Sequence, residues 1–162
     1  MSIHFHRLTV KEITKETADC VSVAFEIPSV LKKDFAFKQG QSLTMRTMLN
    51  NEDVRRTYSI CSSPLDNEWK VAIKRVEGGL FSSFANSELK KGDVLEVMQP
   101  VGRFYVELNP VNTKNYLGIA AGSGITPLLS IIKTTLRTEP QSTFTLVYGN
   151  KSRSSIIFFE EL

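Results

Sequence analysis

The sequence predicts two unequal parts: a six-stranded antiparallel Greek-key barrel with one helix, followed by an incomplete parallel α/β nucleotide-binding domain. Two observations support this class. Residues 1–108 contain short segments in which apolar and polar residues alternate, separated by turns rich in Gly, Asn, Asp and Pro. After a polar, Pro-containing linker at 109–114, residues 115–162 change to the order strand, helix, strand.

The barrel prediction depends on strand-like segments with a period of two. In VSVAFEI (21–27), apolar residues alternate with small or polar ones, as in a half-buried strand. The segments, in chain order, are the N-terminal stretch around His4 and His6, VSVAFEI (21–27), SLTMRTML (42–49), VRRTYSIC (54–61), EWKVAIKRV (68–76) and GDVLEVMQP (92–100). One helix is predicted over LFSSFANSEL (80–89), where Leu80, Phe84 and Leu89 share about one side.

The residue pattern of the C-terminal part predicts one strand–helix–strand unit and the start of a second helix. NYLGIAAG (115–122) and STFTLVYGN (142–150) are apolar strands, ITPLLSIIKTTLRT (125–138) is a helix, and SSIIFFEEL (154–162) opens another. A doubly wound sheet normally has five or six strands, so two strands predict a truncated domain. The apolar run at 156–159 then lacks a partner surface.

Composition excludes several classes of function. The net charge is +3, with 20 Lys and Arg scattered among 17 acidic residues, which does not favour nucleic-acid binding. No apolar run reaches the ~18 residues of a membrane helix, and the N-terminus lacks the apolar core of a signal peptide. Cys20 and Cys61 have no metal-ligand spacing, so we expect a reduced, cytoplasmic protein without a metal site.

The segment RRTYSICSSP (55–64) carries the first candidate site. Alternation along a strand places Arg56 and Tyr58 on one face, while Ser59 lies at the strand's end. A guanidinium fork suits a phosphate and a phenol ring suits stacking, so the pattern favours a nucleotide-like cofactor. The alternative is an edge strand with solvated arginines and a barrel tyrosine.

Two glycine-containing turns carry the other candidates. EGGLFSS (77–83) opens a helix after Gly79 and places Ser82 in its first turn, an arrangement that suits a diphosphate and hence FAD. The alternative there is a hairpin turn followed by a serine N-cap. GIAAGSGITPLL (118–129) leads a strand through glycines into a helix, as in dinucleotide sites, although Pro127 replaces the third glycine of the usual fingerprint. A simple β–α turn remains the alternative.

Taken in this order, the segments resemble the ferredoxin–NADP reductase superfamily, in which an FAD-binding barrel precedes a nicotinamide-nucleotide domain. The resemblance rests on RRTYSICSSP, VAIKRVEGGLFSSF, QPVGRF, GIAAGSGITPLL and LVYGN. The first two segments are most similar to the reductase components of phenylacetyl-CoA oxygenase (epoxidase) systems. The resemblance implies hydride transfer from NADPH or NADH to FAD and single-electron transfer to an oxygenase or another acceptor.

The resemblance also implies roles for individual residues. Arg56 would hold the flavin phosphate, Tyr58 would stack on the flavin ring, and Ser59 would hydrogen-bond near its reactive nitrogen. The remaining residues implied to bind FAD are Ile73, Lys74, Arg75, Gly79 and Ser82. Those implied to bind the pyridine nucleotide are Gly122, Gly124, Thr126 and Pro127. Ser152 and Arg153, with Lys151, could accept a 2′-phosphate and favour NADPH; the alternative is a polar loop with solvated cations.

One departure from the subfamily is clear. Relatives carry an iron–sulfur domain with a C-x₄-C-x₂-C run, and this sequence has none, so we expect no cluster in this chain. Electrons would reach the acceptor through such a domain elsewhere. Two alternatives stay open: an FAD-binding barrel module without redox turnover, because the nucleotide domain is incomplete, and a barrel for another phosphorylated ligand.

Overall fold

The computed structural model describes residues 4–162 and contains two sheets and two α-helices. The strands of the first sheet are β1 (Phe5–Thr17), β2 (Cys20–Glu26), β3 (Ser42–Leu49), β4 (Glu52–Ser59), β5 (Trp69–Lys74) and β6 (Val94–Met98). The helix α1 (Leu80–Ser87) lies between β5 and β6 in the chain. The second part consists of β7 (Asn115–Ala121), α2 (Ile125–Thr138) and β8 (Thr143–Gly149).

The first sheet closes into the predicted antiparallel barrel. Its strand order is β4-β3-β6-β1-β2-β5, and every pair is antiparallel. The two end strands meet only beyond the end of β4, through a bridge between Ile60 and Val71 and a 2.8 Å hydrogen bond from Cys61 N to Lys70 O. Strand β4 therefore joins β5 at one point and leaves a gap along the rest of its length.

Alternation along the strands fills the barrel with apolar side chains. Leu8 and Val10 of β1, Leu43 and Met45 of β3, and Val71 of β5 are fully buried in one core cluster. The same cluster includes Phe81 and Ala85, on the buried face of α1. Helix α1 thus covers the interior of the barrel beside β4 and β5.

The second part packs against the outside of the barrel. Strands β7 and β8 are parallel, with residues paired from Asn115–Thr143 to Ala121–Gly149. Helix α2 connects them and contributes Ile125 and Leu129 to a second apolar cluster. That second cluster also contains Cys20, Cys61 and Ala72 of the barrel, so it joins the two parts through shared apolar contacts.

The predicted second helix at 154–162 is wrong. The segment forms two 3₁₀ turns, Arg153–Ser155 and Phe159–Glu161, separated by Phe158 in a left-handed conformation with φ of 62°. Ile157 and Phe158 are buried in the second cluster, so the barrel wall supplies a partner surface for them. Consecutive apolar residues cannot all face one side of a helix, and burial of this pair favours the irregular path.

Among residues 4–162, no helix combines the length and apolar character needed to cross a membrane.

Candidate functional site

Strand β4 presents Arg56 and Tyr58 on one face. Arg56 lies opposite Met45 and Tyr58 opposite Leu43 of β3, and directly paired residues point to the same side of a sheet. Burial raises the pKa of the Tyr58 hydroxyl, while the charge of Arg56 acts in the opposite direction. The Tyr58 ring lies 5.8 Å from the ring of Phe81 in α1.

The gap between β4 and β5 opens into a cleft of about 580 Å³, which we call the interdomain cleft. Its barrel wall is formed by β4 at 57–59 and by β5 with the residues that follow it, and its opposite wall is the turn between β7 and α2. The cleft brings together these predicted residues: Tyr58, Ser59, Lys74, Arg75, Gly124, Thr126 and Pro127. It also contains Thr57, Ala72, Val76 and Ser123, which were not among the predicted site residues.

Arg56 differs from the nearby arginines Arg55 and Arg46 because it has no ion-pair partner among the described residues. Arg55 pairs with Asp53 at 2.5 Å, and Arg46 pairs with Glu96 at 2.6 Å. Arg56 is exposed, donates one hydrogen bond of 2.7 Å to the Arg55 carbonyl, and forms no ion pair with any residue that the structure describes. Its guanidinium keeps further donors for an anion beside Tyr58.

Two further cations, Lys74 at the end of β5 and Arg75 directly after it, line the interdomain cleft. Lys74 lies 3.6 Å from Asp19 and lines the interdomain cleft. Arg75 also lines the cleft and donates to Ser87 at the end of α1. Ile73, in contrast, is fully buried in the barrel core, and its carbonyl accepts a 2.9 Å hydrogen bond from Asn86. The Ile73 side chain therefore does not line the cleft.

The diglycine turn lies next to the site but outside the interdomain cleft. Gly78 has φ of +70°, and Gly79 begins α1 and lines a separate cleft of about 300 Å³ facing Asn50 in the β3–β4 turn. The Ser82 hydroxyl is buried, accepts from Val76 N at 3.0 Å and donates to Gly79 O at 3.3 Å. Ser82 thus shapes the turn with its side chain.

The turn between β7 and α2 has an open backbone at its two glycines. A Cβ placed on Gly122 or Gly124 would meet nothing within 4 Å, and Gly122 has φ of +49°. Thr126 donates to Ser123 O at 3.0 Å, which closes the first turn of α2. Pro127 follows within that first turn, where a missing N–H costs little.

A third cleft, of about 300 Å³, lies at the carboxyl ends of β7 and β8, and we call it the strand-end cleft. Gly122, Gly149, Asn150 and Lys151 line it, and Lys74 borders both this cleft and the interdomain cleft. Both polar atoms of the Asn150 amide are buried without a hydrogen-bond partner among residues 4–162. The position of Asn150 directly after β8 is the signal that could have identified it, because ligands bind at the carboxyl ends of parallel strands.

The structure does not bring Ser152 and Arg153 to the strand-end cleft. Ser152 caps the 3₁₀ turn through Ser155, and the Arg153 guanidinium lies 4.8 Å from the centre of the Phe159 ring. Both residues line a larger cleft of about 910 Å³ between the barrel at 14–16 and the C-terminal segment. That cleft is lined by both cationic and carboxylate side chains. It contains none of the residues on β4 and β5 that were predicted to bind the flavin.

The two thiols are structural. Cys20 and Cys61 are buried and not paired in a disulfide. Burial raises the pKa of the Cys20 thiol to about 12 and raises that of Cys61 even more. The residues that the structure describes contain no group of three or more His, Cys, Asp or Glu side chains that could hold a metal ion.

An antiparallel barrel whose open strand pair faces the first β–α turn of a parallel unit defines a class: nucleotide-binding proteins with their binding cleft between two domains. The chain belongs to the oxidoreductase FAD-binding domain family, whose profile matches residues 7–105. The profile of the oxidoreductase NAD-binding domain matches residues 119–162. The predicted superfamily is therefore confirmed, together with FAD and a pyridine nucleotide as the cofactors of these domains.

Curated relatives cover almost the whole chain. One component of the 1,2-phenylacetyl-CoA epoxidase of Escherichia coli K12 is 47% identical over 98% of this chain and 44% of its own length. The ferredoxin reductase component of the 3-ketosteroid-9-alpha-monooxygenase of Rhodococcus rhodochrous is 40% identical over 96% of this chain and 44% of its own length. The chain thus spans less than half the length of these relatives.

A solved structure agrees with the fold. Phthalate dioxygenase reductase, described as a modular structure for electron transfer from pyridine nucleotides to a 2Fe–2S centre, superposes with a TM-score of 0.80 and 30% identity. The match covers 98% of this chain and 47% of that protein.

Proposed function

We propose that this chain is the flavin-binding and partial nicotinamide-binding portion of an NAD(P)H-dependent reductase that passes electrons to an oxygenase partner. The single observation that carries the proposal is the interdomain cleft. It places Tyr58 and Ser59 of the FAD-binding domain opposite Thr126 and Pro127 of the NAD-binding part. A donor and an acceptor bound to the two walls would meet in this cleft.

The residues present fit a flavin nucleotide. The half-buried ring of Tyr58 offers a flat stacking surface inside the cleft. On the same face, Arg56 offers a guanidinium that forms no ion pair with the described residues. Gly79 is the N-cap of α1, and its own N–H bonds to Val76 O at 2.9 Å. The backbone N–H groups of the first turn of α1, which begins at Leu80 beside a small cleft, suit a second phosphate. We propose that Ser82 contributes through its backbone, because its hydroxyl is bonded within the turn.

The residues of the second wall fit a pyridine nucleotide. Gly122 and Gly124 leave open space at the backbone, and Asn150 has buried amide atoms that lack a partner in the described chain. Lys74 and Lys151 border the strand-end cleft and favour a phosphorylated ligand. We propose Lys151 as the first contact for a 2′-phosphate and Ser152 and Arg153 as outer contacts, since the last two face the neighbouring cleft.

When bound, FAD supplies a two-electron acceptor for hydride that can also release electrons singly. The protein contributes position and electrostatics. Ser59 provides a hydroxyl at the end of β4, beside Tyr58, where it can hydrogen-bond the cofactor. Lys74 and Arg75 place positive charge along the cleft wall, which stabilises an electron-rich ligand there.

A second candidate function is an FAD-binding module that does not turn over. The observation in its favour is the extent of the second part, because β7 and β8 form a sheet of two strands in the described chain and the NAD-binding match covers residues 119–162 alone. Such a module would hold FAD in the barrel and bind the pyridine nucleotide weakly.

One experiment separates the two functions. The purified chain is loaded with FAD, and NADPH and NADH are added separately without oxygen while the visible flavin absorbance is followed. Bleaching within seconds supports the reductase, and persistent colour supports the binding module. Failure to take up FAD, measured by gel filtration and by release of flavin on denaturation, would contradict both.

We further propose a phenylacetyl-CoA epoxidase-type oxygenase as the electron acceptor and a cytoplasmic location. The 47% identical relative supports the acceptor, and the two buried free cysteines support a reducing location. Electron delivery from the FAD-loaded chain to such an oxygenase, with and without a 2Fe–2S ferredoxin, tests the acceptor.

A further inference from the structure

Helix α2 carries a buried row of hydroxyl groups on the side that faces the barrel. Thr126, Ser130 and Thr134 are spaced four residues apart, so they form one stripe along the helix. Their exposed fractions are 6%, 0% and 5%. A buried hydroxyl destabilises an interface unless it is hydrogen-bonded, so each member of this row requires a partner. Thr126 has its partner in Ser123 O of the preceding turn, which leaves Ser130 and Thr134 facing the barrel.

The barrel supplies partners for Ser130 and Thr134 from the loop that directly follows β4 and from Gly40, just before β3. The Ser130 hydroxyl donates to Ser62 O at 2.6 Å and accepts from Gly40 N at 3.4 Å. The Thr134 hydroxyl donates to Ser130 O at 2.6 Å and accepts from the Ser63 hydroxyl at 2.9 Å. We call Ser62, Ser63, Ser130 and Thr134 the serine joint.

Further polar bonds support the serine joint at both sides. The Ser62 hydroxyl donates to Glu68 O at 2.7 Å and accepts from Lys70 N at 3.1 Å, which fixes the loop to β5. At the far end of α2, Arg137 pairs with Asp66 of the same loop. Polar bonds with defined geometry therefore join α2 to the barrel from Ser130 to Arg137.

The serine joint lies outside the interdomain cleft but connects the two chain segments that form its walls. On the barrel side, Ser62 follows the cleft residue Ser59 by three positions. On the helix side, Ser130 follows the cleft residue Thr126 by four residues, roughly 6 Å along the axis. If α2 slid along the barrel, Thr126 would be displaced relative to Ser59 by the full distance of the slide.

We propose that the serine joint sets the separation of the two cleft walls, so that Ser130 and Thr134 are positioning residues for hydride transfer. This inference rests on the proposed function. The apolar contacts of α2 with Cys61 and Ala72 are non-directional and tolerate small shifts. The hydrogen bonds of the joint weaken steeply with angle and distance, and they therefore select one register of the helix.

The test uses variants that remove one hydroxyl. Thr134→Val keeps the shape of the side chain and deletes two hydrogen bonds, and Thr134→Ser keeps the hydroxyl. Thr143→Val is the matched control, since Thr143 is an exposed β8 residue outside the clefts whose hydroxyl bonds to Asn115. Ser130→Ala provides a second deletion at the centre of the joint.

We expect Thr134→Val and Ser130→Ala to bind FAD within about twofold of the parent chain, because Arg56 and Tyr58 are untouched. The rate of flavin reduction at saturating pyridine nucleotide should fall about tenfold or more, because a displacement on the order of 1 Å between reacting groups costs about a hundredfold. Thr134→Ser should restore the rate, and Thr143→Val should not change it. An unchanged rate in both deletion variants would overturn the proposal.

Amide hydrogen exchange of α2 gives a readout that does not depend on turnover. The deletion variants should exchange about five- to tenfold faster over 125–138 than the parent chain, with the barrel strands unchanged. If the parent chain binds FAD but the bound flavin is not reduced by pyridine nucleotide, the reductase proposal fails. The exchange measurement alone then decides whether the serine joint fixes the position of α2. Unchanged exchange in α2 would then refute it.

Discussion

At the scale of single residues, two adjacent arginines of β4 have different electrostatic environments. Arg55 points to one face of the strand, where Asp53 neutralises it at 2.5 Å. Arg56 points to the other face, toward Tyr58, and its ion-pair capacity is unused within the described chain. Strand alternation separates the pair, and only Arg56 is left with charge for a phosphate.

The first prediction concerns this difference. Arg56→Ala should weaken FAD binding about tenfold or more, because a charge-assisted hydrogen bond to phosphate is lost, and should leave riboflavin binding nearly unchanged. Arg55→Ala is the control and should change neither. Fluorescence titration with both flavins measures the effect. Equal losses for FAD and riboflavin would refute the phosphate assignment.

The second prediction concerns the ring of Tyr58. Tyr58→Ala should weaken both FAD and riboflavin about five- to tenfold, because stacking area is lost, while the barrel stays folded. Tyr58→Phe keeps the ring and should retain most of the affinity. Titration of both variants, with circular dichroism to check the fold, tests the stacking role. Normal affinity in Tyr58→Ala would exclude it.

At the scale of elements, the turn before β3 holds the barrel close to the second part. Gly40 has φ of +83°, and a Cβ at this position would lie 2.0 Å from the carbonyl oxygen of Phe104. Its N–H also meets the Ser130 hydroxyl of the serine joint. Any larger residue would push the 99–106 segment away from the barrel.

The third prediction compares two glycines with similar backbone angles. Gly92 has φ of +92° and open space around its Cβ position, so Gly92→Ala should cost about 1–2 kcal/mol from backbone conformation alone. Gly40→Ala adds a clash with backbone and should cost clearly more. Urea unfolding of both variants measures the difference. Equal losses would mean that the Phe104 contact relaxes freely.

At the scale of the whole molecule, one buried carboxylate ties the linker to the second part. Glu139, at the end of α2, accepts hydrogen bonds from Asn109 N at 2.9 Å, Asn112 at 2.6 Å, Tyr116 at 2.9 Å and Ser142 at 2.8 Å. Burial opposes its ionisation, yet these bonds prevail and lower the pKa of Glu139 from 4.5 to about 2.

The fourth prediction follows from that shift. A lowered folded-state pKa contributes stability that is fully present above the unfolded value of 4.5 and is lost as the pH falls toward about 2. Glu139→Gln should lower the urea midpoint at pH 7 and flatten its decline between pH 4.5 and pH 3. Parallel pH profiles for the variant and the parent chain would contradict this role.

The sequence alone determined the local structure and the order of the motifs. Alternation predicted the barrel strands, and the length and spacing of 125–138 predicted α2 with the bounds that the structure has. The motif order also predicted a cofactor role for Tyr58, Ser59, Thr126 and Pro127, and the structure brings these four residues to one cleft. These features depend on short-range periodicity, which a single sequence contains.

Tertiary structure alone decided which charged and polar groups meet. The single β4–β5 bridge that opens the cleft, the pairing of Arg55 rather than Arg56, and the course of 152–161 all depend on segments distant in sequence. In the folded chain, Ile157 and Phe158 are buried against the barrel, Arg153 lies beside Phe159, and Asn150 lines the strand-end cleft. Local patterns specify which face of an element is apolar, whereas the packing of remote elements selects the partners of each side chain.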